Sequence, residues 1–321
     1  MALLPPPLEL LPGLWRIALP LPFELSRINV FLVTLPDGLM LVDCGIAGRT
    51  SHDALLQGLN QIGVEPQAIT KILLTHFHPD HIGLAPVIHR YAAAPVFMHH
   101  ADIARLRKIA EHGWMHGLLE EAGVPESLQQ AIRKGSTNPD FNLVDLPEVT
   151  PLQGGEIIDT ALGPLEVIST PGHAPGHICL YFRDSKTLLS GDHILPTISP
   201  NITWSAESDA LGDYLDSLQK IAAYDVTLVV PSHGEPFADM QGRIHQLTQH
   251  HIERCEEITA ALDAGSVTAH QLVQALWTRK LAPIHHWFAL FEVLAHLEFM
   301  QRRGRIASTL EGVIRKWRNT P

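Results

Sequence analysis

Four times along this chain an apolar run with the character of a buried β-strand ends in histidine or aspartate. That recurrence restricts the fold more than any other feature. The first run, Lys71-Ile72-Leu73-Leu74, leads into Thr75-His76-Phe77-His78-Pro79-Asp80-His81, which sets four metal-binding side chains within six residues. The second, Leu165-Glu166-Val167-Ile168-Ser169-Thr170, is followed by Pro171-Gly172-His173 and then by His177. The third, Thr187-Leu188-Leu189-Ser190, ends in Gly191-Asp192-His193, and the fourth, Val226-Thr227-Leu228-Val229-Val230, in Pro231-Ser232-His233-Gly234. Short apolar runs of this kind read as strands covered on both faces, which belong to sheets flanked by helices. Open α/β proteins carry their chemistry on the loops at the carboxyl ends of such strands. The glycines beside the ligand groups let the backbone turn sharply toward one centre.

Imidazole nitrogen and carboxylate oxygen suit a borderline divalent cation such as Zn²⁺. A chain with 20 histidines clusters some by chance, and any later histidine taken alone reads more readily as a surface or core residue. His-x-His-x-Asp-His directly after a buried strand is a different matter, because the loop can turn alternate side chains toward one point.

In this order, His76-Phe77-His78-Pro79-Asp80-His81, Thr170-Pro171-Gly172-His173, Gly191-Asp192 and Ser232-His233-Gly234 resemble the metallo-β-lactamase fold superfamily, over roughly residues 12–240. Within it the chain is similar to the hydroxyacylglutathione hydrolase and lactonase group. The resemblance implies an α/β fold, a four-layer αββα sandwich. It also implies two divalent metal ions, Zn²⁺ first, with Mn²⁺ or Fe as alternatives. His76, His78 and His173 would hold one ion; Asp80, His81 and His233 would hold the other; Asp192 would bridge. A water bridging two such ions has a lowered pKa and serves as a hydroxide nucleophile. Asp80 and Asp192 are then placed to take the proton as the tetrahedral intermediate collapses. Ligating histidines usually hand their other nitrogen to a carboxylate or carbonyl. Asp43, in Leu41-Val42-Asp43-Cys44-Gly45, is a candidate for that role or simply the turn former before Gly45. His177 is open between the same kind of support and loop packing. One departure is visible: the family often has two glycines after its first motif, whereas Gly83 is followed by Leu84, a change expected at the substrate-side rim.

Absences narrow the branch. Classical zinc β-lactamases resemble the motif but carry Arg where His81 stands and Cys where Asp192 stands, so antibiotic hydrolysis is not the expected activity. Flavodiiron oxygen reductases carry Glu in place of His78 and append a flavodoxin domain too long for this chain. The nuclease branches carry a large inserted domain or a basic RNA-clasping arm, and neither is read here. The expectation is hydrolysis of small ester, thioester or lactone substrates. The alternative is a metal-dependent nuclease or phosphodiesterase that uses the C-terminal region to hold nucleic acid.

The charge changes sign along the chain. Residues 1–240 carry 13 basic and 27 acidic side chains, residues 241–321 ten and seven. The shift suggests a catalytic domain over 1–240 and a second domain over 241–321. In the first, residues 29–34 and 39–43 flank Pro36-Asp37-Gly38 as a hairpin, and helical patterns follow at 51–62, 84–91 and 209–223. In the second, helices at 243–262, 268–277 and 287–303 precede a hairpin of 305–309 and 313–317, a winged-helix-like arrangement. Thr268 is the expected N-cap of the middle helix. The third helix, Phe288-Ala289-Leu290-Phe291-Glu292-Val293-Leu294-Ala295-His296-Leu297, is mostly apolar, and so small a basic excess is far from a nucleic-acid footprint. The region is expected to pack on the catalytic domain or on a second subunit in a homodimer. Between the ligand groups, residues 99–142 are helical and mixed and are expected to project over the metal-bearing end as a lid. Trp114, Met115 and Leu118 would then line an acyl or alkyl pocket, joined by Asn201 and Trp204 from the loop after Asp192. Three cysteines without a CxxC pair point to a reducing, cytoplasmic home. The apolar stretch 1–12 is broken by prolines and too short to span a bilayer.

Overall fold

The computed structural model describes residues 4–22, 25–112, 117–136, 145–205, 207–263 and 265–320. Strands β1 (Leu8–Leu11), β2 (Leu14–Pro20), β3 (Arg27–Leu35), β4 (Gly38–Val42), β5 (Ile69–Leu73), β6 (Val96–His99) and β7 (Val149–Leu152) bond in that order into a seven-stranded sheet. A second sheet of five is ordered β12-β11-β10-β9-β8. Its strands are β8 (Ile157–Thr160), β9 (Gly163–Ser169), β10 (Ile178–Phe182), β11 (Thr187–Gly191) and β12 (Leu228–Pro231). The β3–β4 hairpin pairs Leu35 with Gly38 across Pro36-Asp37.

The period-two alternation of β-strands explains why these runs are apolar throughout. Along β3, Phe31, Val33 and Leu35 enter the layer between the sheets, whereas Ile28, Val30 and Leu32 face helices on the outside. Along β10, Ile178, Leu180 and Phe182 point inward and Cys179 and Tyr181 outward. Outside the first sheet lie α1 (Arg49–Ile62), the short α2 (Pro79–Ile82) and α3 (Ala85–Ala92), with Leu55, Leu59, Ile82 and Ile88 in the outer core. Leu84 is 2% exposed in that same core, so the departure from a second glycine is absorbed by packing and not by the rim of the site. After α4 (His100–His112), α5 (Leu118–Glu121) and α6 (Glu126–Ser136), α7 (Ala210–Ala222) and the first half of α8 (Met240–Leu262) cover the second sheet. The result is the αββα sandwich.

The second half of α8 belongs to a separate core. Cys255, Ile258 and Leu262 pack there with α9 (Ala269–Leu276) and α10 (Pro283–Arg302). A three-stranded sheet, ordered β13-β15-β14, closes it with β13 (Val267–Thr268), β14 (Ile306–Glu311) and β15 (Ile314–Asn319). Thr268 does cap α9, in a reciprocal box with Gln271. Proline at the first position starts α10 four residues earlier than the periodicity predicts. Leu118 and Leu119 from α5, Val124 from the turn after it and Ile132 from α6 enter this core as well. Leu118 is therefore buried here instead of lining a pocket, with α5 pinned to β15 by the Glu121–Arg315 ion pair. Trp114 and Met115 lie outside the described residues. Among the described residues no helix is long and apolar enough to cross a membrane.

Candidate metal centre

β5 runs parallel to β4 and β6. β9 is antiparallel to β10, β10 to β11, and β11 parallel to β12, so β9, β11 and β12 share one direction. Their carboxyl ends deliver the ligand loops to one end of the sandwich. After β5 the chain bends through His76 and His78, then Pro79 opens the single turn of α2 and puts Asp80 and His81 on it. Gly83 ends that turn against the loop after β4: a Cβ there would stand 2.1 Å from Ala47 N and 2.7 Å from Gly45 O. At the end of β11, Gly191 has φ +53°, and a Cβ on it would meet His177 Nε2 at 2.5 Å. The close approach lets the Asp192 N–H donate to His177 Nε2 at 3.1 Å.

Seven side chains converge. His76 Nε2 is 2.9 Å from His78 Nδ1 and 3.2 Å from His173 Nε2. His233 Nε2 lies 3.3 Å from Asp80 Oδ2 and 3.5 Å from Asp192 Oδ2; His81 Nε2 lies 3.8 Å from Asp80 and 3.6 Å from Asp192. Donor atoms gather within 4.8 Å in three groups: His76, His78, His173; His76, His81, Asp192; and Asp80, His81, His233.

The outer ring nitrogens are already engaged. His81 Nδ1 donates to Asp43 Oδ2 at 2.8 Å, His173 Nδ1 to the Asn201 carbonyl at 2.5 Å and His233 Nδ1 to the Arg27 carbonyl at 3.1 Å. In neutral imidazoles those donations leave bare lone pairs on the inner nitrogens. Such lone pairs repel one another, and His81 Nε2 additionally faces carboxylates. His81 Nε2 and Asp192 Oδ1 are buried with no hydrogen-bond partner, a costly state unless a cation sits between them. The donor set, nitrogen and carboxylate oxygen without thiolate, suits Zn²⁺, Mn²⁺ or Fe.

Electrostatics agree. Burial, then the neighbouring His81, holds His76 well below the usual imidazole range, and burial with His173 brings His78 to about 3. Burial also pushes His81 and His233 down, but Asp43 and Asp192 outweigh it for His81, which stands well above its usual value. Asp192 and Asp80 raise His233 to about 10. Burial raises Asp80, yet His81 and His233 hold it at about 2. Three carboxylates, Asp43, Asp80 and Asp192, thus draw positive charge to a nearly dry centre, and the clustered His and Asp donors are able to bind the metal ions that would supply it.

Behind the ligands, Asp43 is both turn former and support. It has φ +58°, a sparsely populated conformation that aspartate tolerates. It accepts from His81 and from the Thr75 N–H and hydroxyl. His177 receives the Asp192 N–H on Nε2, so its Nδ1–H donates to the Thr170 hydroxyl at 2.8 Å. Asn201 reaches the site through its carbonyl, whereas Trp204 packs between the two outer cores. Two residues that support the site belong to none of the ligand motifs. Asp102, in the first turn of α4, accepts from the Phe77 N–H at 2.9 Å and the Gly176 N–H at 2.6 Å, clamping two ligand loops together. Asn29 donates from its amide to Pro231 and Gly234 carbonyls on either side of Ser232-His233. A polar residue inside the apolar run of β3 was the available signal for Asn29; nothing in the sequence marks Asp102.

Two family models match the chain: the metallo-β-lactamase superfamily over residues 24–233 and the metallo-β-lactamase-like C-terminal domain over residues 255–318. The chain is 28% identical to the probable metallo-hydrolase YqjP of Bacillus subtilis, over 92% of this chain and 94% of that protein. It is 22% identical to an atrochrysone carboxyl ACP thioesterase of Aspergillus fumigatus, over 92% of this chain and 82% of the other. Among solved structures, a metallo-β-lactamase family protein from Thermus thermophilus superposes with a TM-score of 0.84 at 31% identity, covering 97% of this chain and 100% of that one.

Proposed function

This chain belongs to the metallo-β-lactamase superfamily, and on that premise we propose a dinuclear metal-dependent hydrolase of small ester, thioester or lactone substrates. The observation that carries the reading is the pair of buried bare atoms, His81 Nε2 and Asp192 Oδ1, at the centre of a seven-donor cluster whose outer atoms are tied elsewhere. In this reading His76, His78 and His173 would hold one ion and Asp80, His81 and His233 the other, with Asp192 shared by both. Divalent ions bound there supply Lewis acidity, lowering the pKa of water and polarising a carbonyl toward attack.

The protein's own groups do the rest. Asp43, Asn201 and Arg27 fix the tautomers of His81, His173 and His233 by accepting their outer N–H groups. Asp192 is aimed by the His177 ring through its own N–H. The carboxylates of Asp80 and Asp192 are the groups positioned to receive a proton and pass it to a departing alkoxide or thiolate. The thioesterase named among the relatives supports a thioester within the substrate class. Residues 1–240 are read as the catalytic unit and 241–321 as a module packed upon it. In that region Arg254, Arg302, Arg303, Arg315 and Lys316, half of its ten basic side chains, are each paired with a carboxylate, which lowers the charge left for phosphate.

The test is a panel of acyl thioesters, aliphatic esters, lactones and a bis-phosphodiester, run on the Zn²⁺-loaded protein and on the same sample after chelation. Turnover of a carbonyl substrate that vanishes with the metal is the expected result. Phosphodiester turnover alone would replace this reading with the nuclease alternative.

A further inference from the structure

Among the described residues between Asp192 and α7 there is no helix or strand, and members of the segment 194–205 bond both to the ligand loops and to α8. On the inner side the Asn201 carbonyl accepts from His173 Nδ1, and the Thr203 N–H donates to the His173 carbonyl at 3.2 Å. The Thr203 hydroxyl lies 3.4 Å from His78 Nε2, the nitrogen of that ring facing away from His76. At the other arm of the site, a Cβ on Gly234 would come within 2.6 Å of Pro196, so the segment presses on the loop of His233.

On the outer side the grip comes from α8 and the core it shares with α9 and α10. Arg243 spans two carbonyls, Nε to Leu195 at 2.6 Å and Nη2 to Ile198 at 2.7 Å. His250 Nε2 meets the Ser199 hydroxyl at 3.2 Å. Trp204 packs against both the core over the second sheet and the core of the C-terminal helices, and Ile202 is fully buried. An irregular segment has no ladder of its own to fix it, so its shape follows from what holds it.

We propose that the C-terminal helices set the orientation of His78 and His173 through this segment, with Arg243 and Trp204 as positioning residues for the ion that His76, His78 and His173 hold. The proposal rests on the ligand assignment made above. Hydrogen bonds to the outer nitrogen fix a ligand's tautomer and ring angle, and their loss typically weakens metal affinity about 10–100-fold. The rigid guanidinium fork suits two carbonyls at once, which a lysine ammonium on a flexible stem does not reproduce.

The experiment measures Zn²⁺ affinity of the full chain by competition with a chromophoric chelator, with thermal melts of the same metal-free samples. The variants are Arg243→Met, Arg243→Lys, Thr203→Val and Arg254→Met. Arg254 lies on the same helix but pairs with Glu257 and Glu292 and covers the Trp277 ring, so it controls for loss of helix stability. Arg243→Met should weaken Zn²⁺ about 10–100-fold, with Arg243→Lys recovering part of the loss. Thr203→Val, which removes little beyond the hydroxyl facing His78, should shift affinity in the same direction even if Arg243→Met folds poorly. Arg254→Met should bind as wild type whatever its melt. Wild-type affinity in both Arg243→Met and Thr203→Val overturns the proposal; so does equal weakening by Arg254→Met, since the effect then tracks stability. A wild-type chain that binds no Zn²⁺ overturns the ligand assignment itself, so the two failures are told apart.

Discussion

Histidine at this centre divides its two nitrogens between the cluster and the protein, and the residues that take the outer nitrogen matter as much as the ligands. Asp43→Asn tests this at one position. Asparagine tolerates the same positive φ, so the turn persists, but the charge facing His81 is lost. We expect affinity for the Zn²⁺ assigned to Asp80, His81 and His233 to fall about 10–100-fold, read by chelator competition; unchanged affinity would reduce Asp43 to a turn residue. Asp102→Ala should act on the fold instead. It strands the Phe77 and Gly176 N–H groups in a dry interior at about 1–3 kcal/mol each, so a denaturant melt should move by about 2–6 kcal/mol. A shift near zero would mean that those amides find other partners. The seven ligand candidates were legible because their order along the chain carries the resemblance to the superfamily, which implies the set that no single later histidine would. Asp102 was not, because its role depends on a helix returning to two loops distant in sequence, and no local pattern records that.

Among the elements, strands buried on both faces were the readable ones, since continuous apolar runs bounded by glycine and proline leave few alternatives. The region of α4 to α6 was legible as helical but not in its destination: which core accepts Leu118 depends on α8 to α10, more than a hundred residues away. Those three helices carry buried histidine pairs, His251 with His296 at 3.1 Å and His270 with His286 at 3.0 Å. Burial holds all four below the usual imidazole range, to about 4 for His286 and His296. Glu292, Arg254 and His250 are the charged or titratable neighbours facing the first pair. Because these folded-state values lie below the unfolded value of about 6.5, the contribution is fully present above that pH. It is lost as pH falls toward about 4, where the unfolded chain binds more protons. Hydrogen exchange, corrected for intrinsic rates, should show α9 and α10 losing protection between pH 7.5 and pH 5; constant protection would contradict this. At the junction of α2 and α3, Gly83→Ala drives a methyl into the backbone of residues 45–47 and should cost about 3 kcal/mol or more, measurable as a lowered melting midpoint.

At the scale of the molecule, the C-terminal helices complete a core that α5 and α6 begin, and they grip the segment beside the ligands. A chain ending at residue 240 would expose Leu118, Leu119, Val124 and Ile132 and lose the helix that covers part of the second sheet. Such a truncation should lack a cooperative melt; a sharp, reversible transition would show that the sandwich stands alone. The change in charge balance near residue 240 coincides with the start of α8, whose first half still covers the second sheet; charge says nothing about which surfaces meet, so the packing of the C-terminal helices was not legible. The central claim is that seven converging side chains hold two divalent ions. The most direct test is metal content per chain by mass spectrometry, after loading with Zn²⁺ and removal of excess, for wild type and Asp192→Ala. The account requires close to two ions in the wild type and fewer in the variant, with the fold retained by circular dichroism. Two ions in both, or none in the wild type, would contradict it.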